Sequence, residues 1–500
     1  MPTPSPDPVP GIAPTAVPGL DDVLSGGLAR NRLFLLEGVP GSGKTTLALQ
    51  FLRAAAGRGE VVLYVTLSET EDELRAVGRS HGWELDGITI QELIPSEASL
   101  EPEAQYTMFH PAEVEMGATV NEILQTVDRL NPTYVVFDSL SELRLLAGGA
   151  LRYRRQILAL KQFFSVRNCT AVLLDDMTAT DQDLQTQSIA HGVIRLEQSH
   201  PDYGSERRRL RVIKYRGTQF RGGYHDYVID RGGLRVFPRL VASEHRRAAS
   251  RQRLPSDVPA LDALIGGGLE EGTSTLIVGA AGTGKSTLAA QFATAAAARG
   301  QRSAIFAFDE NPATLLSRCE GMGIGLAAQV DAGRIALQQV DPAELSPGEF
   351  TNRIREAVDQ GASLLVIDSL NGYLNAMPGE RFLTIQLHEL LMYLGHRGVA
   401  TILVAAHHGM IGSQMNTPVD ASYLADAVIL LRYFESAGEV RQAISVVKKR
   451  GSRHERTIRE FRLDQTGIYV GEPLRAFRGI LTGVPVYEGR GRAPSDGEQP

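Results

Sequence analysis

Gly38-Val-Pro-Gly41-Ser42-Gly43-Lys44-Thr45-Thr46 decides how this chain is read. The glycine-rich loop lies between an apolar run, NRLFLLEG (31–38), and a helix-forming one, KTTLALQFLRAAAG (44–57). Glycines at 38, 41 and 43 let backbone N–H groups wrap phosphate oxygens. The start of the following helix adds positive potential, and Lys44 reaches the terminal phosphates. The hydroxyl of Thr45 suits a magnesium ion, so ATP with Mg²⁺ is the expected ligand. The competing reading, a strand-to-helix turn with no ligand, loses force because the pattern recurs as Gly279-Ala-Ala-Gly282-Thr283-Gly284-Lys285-Ser286-Thr287.

Working outward, the loops prove to be landmarks of a duplication. GLDDVLSGGLARN (19–31) returns as ALDALIGGGLEEG (260–272), and Lys44 and Lys285 lie 241 positions apart. Between the copies, the polar, basic SEHRRAASRQRLPSD (243–257) reads as a linker. The expected organisation is a Pro-rich flexible arm over 1–11, a first domain over 12–247, a second over 248–486 and a disordered tail over 487–500. Within each copy, strand-length apolar runs alternate with amphipathic stretches. This predicts an α/β fold twice over, each a mainly parallel sheet flanked by helices. Alternating FRGGYHDYVIDRGGLRVFPRL (220–240) predicts an edge hairpin.

Apolar strands ending in an acid, YVVFDSL with Asp138 and LLVIDSL with Asp368, supply the metal-side carboxylates that pair with Thr45 and Ser286. Hydrolysis further needs a carboxylate to orient or deprotonate the nucleophile. Ser68-Glu69 and Asp309-Glu310 follow the next apolar strand, which makes Glu69 and Glu310 the candidate bases and Asp309 a helper. The alternative is that these acids simply open the following helix, where the dipole favours them.

The repeat, the paired loops, VTLSETEDEL (65–74), FAFDENPATLL (306–316) and two Lys-x-Arg-Gly sequences together resemble the KaiC family of circadian clock ATPases over nearly the whole chain. The resemblance implies tandem RecA-like P-loop domains, double-tiered homohexamers with ATP between subunits, and Lys214, Arg216, Lys448 and Arg450 reaching a neighbour's phosphate. It also implies serine/threonine autokinase activity in the second domain. Alignment on ADAVILLRYFE (425–435) puts Ser422 at the phosphoacceptor position, with Tyr423 replacing its threonine partner. A KaiB-like or other signalling protein is the implied partner. The first domain departs from the family's paired glutamates by carrying Ser68, so altered hydrolysis is expected there. Only a brief polar remnant follows FRGILTGVP (477–485), so control through an extended tail is not expected.

Of the 500 residues, 43% are hydrophobic and 22% charged, the composition of a soluble globular chain. No basic region and apolar core of a secretory signal opens it, so a cytoplasmic location is expected. The net charge of −7 disfavours nucleic acid as main partner. Cys169 and Cys319 lack metal or disulfide spacing and read as buried fillers. His407-His408, after the strand TILVAA, read as solvent-facing in preference to a phosphate sensor. Beyond the signalling ATPase, two rivals remain: a helicase-like DNA motor and a nucleotide-gated scaffold with little turnover.

Overall fold

The structure, a computed structural model, describes residues 11–93, 111–147, 149–177, 184–201, 204–245, 252–375, 383–406, 423–436, 438–480 and 486–487. Ser422, His407-His408, the first ten residues and 488–500 lie outside them. The chain divides into two compact units, 1–239 and 240–500. That division comes earlier than the boundary expected at 247/248, because Leu240 and Ala242 are buried in the second unit's apolar core. The Ala242 carbonyl also contacts the His396 ring at 2.9 Å.

The first unit is built on strands β1 (Leu33–Gly38), β2 (Val62–Thr66), β3 (Thr89–Glu92), β4 (Tyr134–Asp138), β5 (Thr170–Asp175), β6 (Gly192–Ser199), β7 (Arg207–Tyr215), β8 (His225–Asp230) and β9 (Gly233–Phe237). They form one sheet in the order β3-β2-β4-β5-β1-β6-β7-β8-β9. Pairing is parallel from β3 through β6 and antiparallel beyond, ending in the β8–β9 edge hairpin. Helices α1 (Lys44–Gly57), α2 (Glu71–Ser80), α3 (Pro111–Leu130), α4 (Leu140–Ala147), α5 (Ala150–Val166) and α6 (Leu184–Ile189) accompany it. Both faces of the parallel part are covered, so β1 reads as an unbroken apolar run. Phe34 and Leu36 pack with Leu47 and Phe51 of α1, while Leu33 and Leu35 pack with Ile157 and Leu160 of α5.

The second unit repeats this plan. Its strands are β10 (Ser274–Gly279), β11 (Arg302–Ala307), β12 (Ile335–Gln339), β13 (Ala362–Asp368), β14 (Ala400–Ala406), β15 (Ala427–Ser436), β16 (Glu439–Lys449), β17 (Ile458–Asp464) and β18 (Gly467–Pro473). Their order, β12-β11-β13-β14-β10-β15-β16-β17-β18, is the first sheet's order element for element. Helix α7 (Lys285–Ala298) matches α1, and α8 (Pro312–Gly321) matches α2. Cys169 and Cys319 are buried, and burial pushes their thiols up to about 12 and about 11.

Candidate functional site

Each site forms where parallel strands end. In the first, β1 delivers Gly38 to the loop, and Gly43 at φ +92° caps α1. That left-handed backbone excludes side chains, and a Cβ there would lie 2.4 Å from Ile229 Cδ1. Lys44 is buried and donates to the carbonyls of Gly38 at 2.8 Å and Val39 at 3.1 Å. Its third partner is Asp176 Oδ1, at 2.8 Å. Ser42 Oγ is buried with no hydrogen-bond partner among the described residues.

Thr45 Oγ1 donates to Asp138 Oδ2 at 3.1 Å, which brings together the two side chains expected to hold the metal. Tyr64 donates to the same oxygen at 2.5 Å. Burial raises Asp138 above the usual carboxylate range, against the pull of these two hydrogen bonds. Thr46, expected beside the nucleotide, is buried with its hydroxyl 3.4 Å from His81 Nε2. For Asp176, burial opposes ionisation, but Lys44 and the hydroxyls of Ser139 and Ser141 bring it below the ordinary range.

Glu69 sits immediately before the N-cap Thr70, whose side chain and Glu73 close a capping box on α2. It therefore lies outside the helix, as does Glu310 before the N-cap Asn311 of α8, and neither acid opens the helix that follows. Glu69 Oε2 is buried without a hydrogen-bond partner among the described residues. Burial, then the charges of Asp138, Glu73 and Asp176, raise its pKa despite Lys44. A carboxylate that is half-buried, basic and close to the loop lysine Lys44 can accept a proton.

The second site keeps the scaffold and changes its surroundings. Gly284 takes φ +90° before α7, Lys285 donates to the Ala280 carbonyl at 2.8 Å, and Thr283 Oγ1 donates to the same oxygen at 2.8 Å. Burial raises Asp368, which also accepts a hydrogen bond from Ser286. Thr287 is buried within α7. Ala406 stands where Asp176 stands in the first domain, by the registers Leu33–Ala171 and Ser274–Thr401. Asp309 accepts a hydrogen bond from Ser369, and both oxygens of Glu310 are held by Arg318, at 2.8 Å each.

Lys214, Arg216, Lys448 and Arg450 are not gathered at the loop of their own domain. Lys214 is opposite Val193, which is level with Leu35 and so three residues behind Gly38, roughly 10 Å back along the strands. Lys448 is opposite Val428, level with Leu276 and three residues behind Gly279. Lys214 instead donates to the Gln187 carbonyl and Arg216 to that of Ser188, at 2.8 Å. Lys448 and Arg450 donate to the carbonyls of Ala425 (2.7 Å) and Tyr423 (3.5 Å).

Two phosphate loops, each with a strand-end aspartate beside its Thr or Ser, on two sheets of one topology, form a tandem ATPase scaffold. A sequence profile described as "ATPase: KaiC" matches residues 13–241 and 254–475. The chain belongs to the KaiC family. It is 27% identical over 485 residues to a circadian clock protein KaiC3 of Synechocystis sp., covering 95% of this chain and 94% of that one. Circadian clock oscillator proteins KaiC of Thermosynechococcus vestitus and Synechococcus elongatus are 28% and 27% identical, each over 94% of this chain and 91% of its own length. Both matched KaiC segments contain one of the loops and one of the strand-end aspartates. Tyr64, Asp176 and Arg318 were missed by sequence reasoning. Asp176 had a signal, since TAVLLDD (170–176) ends in acids just as YVVFD does; Tyr64 and Arg318 had none.

Proposed function

We propose that the chain hydrolyses Mg²⁺-ATP at both loops and works as a hexameric signalling or timing switch read by a KaiB-like or other signalling protein. The observation carrying this is the first site: a buried Lys44, a Thr45–Asp138 pair and the basic Glu69, whose Oε2 has no hydrogen-bond partner among the described residues, converge on one loop. The hydroxyl and carboxylate of Thr45–Asp138, and of Ser286–Asp368, are hard oxygen donors that fit Mg²⁺. Held there, the ion would neutralise charge on the phosphates. Lys44 or Lys285 holds the terminal phosphates, and Glu69 or Glu310 takes the proton of the attacking water.

The distance of the Lys-x-Arg pairs from their own loops supports their use by a neighbouring copy, where an arginine stabilises charge on the transferring phosphoryl group. One observation favours a second activity, serine autophosphorylation. Arg450 and Lys448 donate to the carbonyls of Tyr423 and Ala425, and Ser422, which lies outside the described residues, is the residue before Tyr423 in the sequence. Glu310 would accept the Ser422 hydroxyl proton as the γ-phosphoryl group moves to Oγ and ADP leaves.

The test is incubation with γ-labelled ATP and Mg²⁺, following released phosphate and protein-bound label in Lys44→Ala, Lys285→Ala and Ser422→Ala variants. Label that needs Lys285 and Ser422 supports the autokinase, and phosphate release without label leaves an ATPase. DNA-stimulated release would favour a motor, and binding without turnover a scaffold.

A further inference from the structure

The first domain has a cavity of ≈ 190 Å³ where the start of β1 meets α5 and the residue before β6. Leu33, which lines it, is five residues behind Gly38 on β1, roughly 16 Å from the phosphate loop. The buried part of the lining is apolar, from Leu33, Phe164 and Cys169, and the partly exposed part carries Arg32, Lys161 and His191. Burial, then the charges of Arg32, Arg216, Lys161 and Lys214, bring His191 below its ordinary 6.5, and burial, Arg216 and Arg32 bring Lys161 down as well. These neighbours are all cations, and clustered cations repel one another until an anion offsets them.

Helix capping accounts for only part of the cluster. Lys214 and Arg216 donate to the carbonyls of Gln187 and Ser188, and Lys161 donates to that of Ile189 at 2.8 Å, so three cations close the negative end of α6. The second domain holds the equivalent stretch with Lys448 and Arg450, on Ala425 and Tyr423. By strand register its residues at the cavity positions are Thr273 for Arg32, Leu391 for Lys161 and Asp426 for His191. Asp426 accepts from the Ser274 N–H at 3.0 Å and lies 3.8 Å from Arg450. The second domain therefore builds its own carboxylate into this place. The first has an imidazole there and two further cations.

We infer that the cavity is a binding site for a free oxyanion of phosphate size, held by Arg32, Lys161 and His191, and that it belongs to the first domain and not the second. A water needs about 10–15 Å³ of such space, so the volume admits a tetrahedral oxyanion with several waters. The Arg32 guanidinium offers parallel N–H donors, and Lys161 keeps two hydrogens beyond the one given to Ile189, a set that suits phosphate oxygens. The bound anion would stand where the second domain has the Asp426 carboxylate. Because the cavity is at the opposite end of β1 from the loop, it can fill while ATP is bound.

The experiment is equilibrium dialysis of labelled inorganic phosphate against full-length protein whose two loops are saturated with a non-hydrolysable ATP analogue and Mg²⁺. One phosphate per chain is expected to bind. Arg32→Thr and Lys161→Leu, each introducing the second domain's residue, should each weaken it by about fivefold or more. Arg235→Ala, which removes a cation from the edge hairpin, should leave it unchanged. Arg32 is exposed, so Arg32→Thr alone carries the test if Lys161→Leu fails to fold. Phosphate binding that disappears once the loops are filled overturns the inference, whether the anion belonged to a loop or the cavity receives a neighbouring copy's triphosphate. An affinity in Arg32→Thr within about fivefold of the wild type, or an equal loss in Arg235→Ala, overturns it as well.

Discussion

Tyr64 donates its hydroxyl hydrogen to Asp138 Oδ2 at 2.5 Å, on the same oxygen that Thr45 approaches at 3.1 Å. Tyr64 is opposite Val136 and Ile305 is opposite Val366, so the second domain has an isoleucine, with no hydrogen to donate, at the matching place. Tyr64→Phe should raise Asp138 further and weaken Mg²⁺-dependent ATP binding at the first site. One hydrogen bond to a charged group is worth about 1.5–3 kcal/mol at most, and a loss of about three- to tenfold in affinity is expected. Mg²⁺ titration of nucleotide binding in a Lys285→Ala background measures it.

All three Lys44 hydrogens are engaged, by the Gly38 and Val39 carbonyls and by Asp176, so a phosphate must displace one partner. The carboxylate is the natural one to yield, because it is partly exposed whereas the carbonyls belong to the loop. Asp176→Asn should therefore tighten ATP binding at the first site several-fold, with the second site, where Ala406 is found, unaffected. Direct titration of the Lys44-containing and Lys285-containing sites, each isolated by mutating the other lysine, decides this.

Glu37 is buried and holds Arg195 at 2.8 Å, with Gln187 at 3.1 Å. The second domain places Val278 opposite Leu430 at the same register. Glu37→Val should destabilise the first domain by about 3–5 kcal/mol by leaving a guanidinium without its counter-charge. Adding Arg195→Leu should restore most of that loss. Urea unfolding of both variants tests the pair.

His225 is buried, accepts from the Arg239 N–H at Nδ1 (2.9 Å) and so donates from Nε2 to the Arg221 carbonyl (2.9 Å). Burial brings it down from 6.5 to about 4. Because the native pKa is the lower, the unfolded chain binds the proton first. The stabilisation is present above 6.5 and is lost as pH falls toward 4, by about 3 kcal/mol at full extent. Thermal denaturation across that window should show the loss in the wild type and a flatter profile in His225→Gln.

The parts read correctly from sequence were those with local causes. Gly43 and Gly284 take left-handed backbone, and their lysines follow from chemistry that needs each residue at a fixed spacing. Strand-end Asp138 and Asp368 were visible because an apolar run closes on an acid. Tyr64 is buried in the middle of β2 and reads as an ordinary core aromatic. Only its register against β4 turns its hydroxyl into a partner of Asp138.

By itself the sequence determined the duplication, the two glycine-rich loops, the strand-end aspartates and the mainly parallel sheets, since each is encoded by adjacent residues and by hydrophobic period. Tertiary structure alone decided that Lys44 is paired with Asp176, that Glu310 is gripped by Arg318, and that the Lys-x-Arg pairs lie away from their own loops. Those relations join residues from different strands and helices. They depend on strand order and register, and on which side chains burial leaves without water, and no local pattern carries that information.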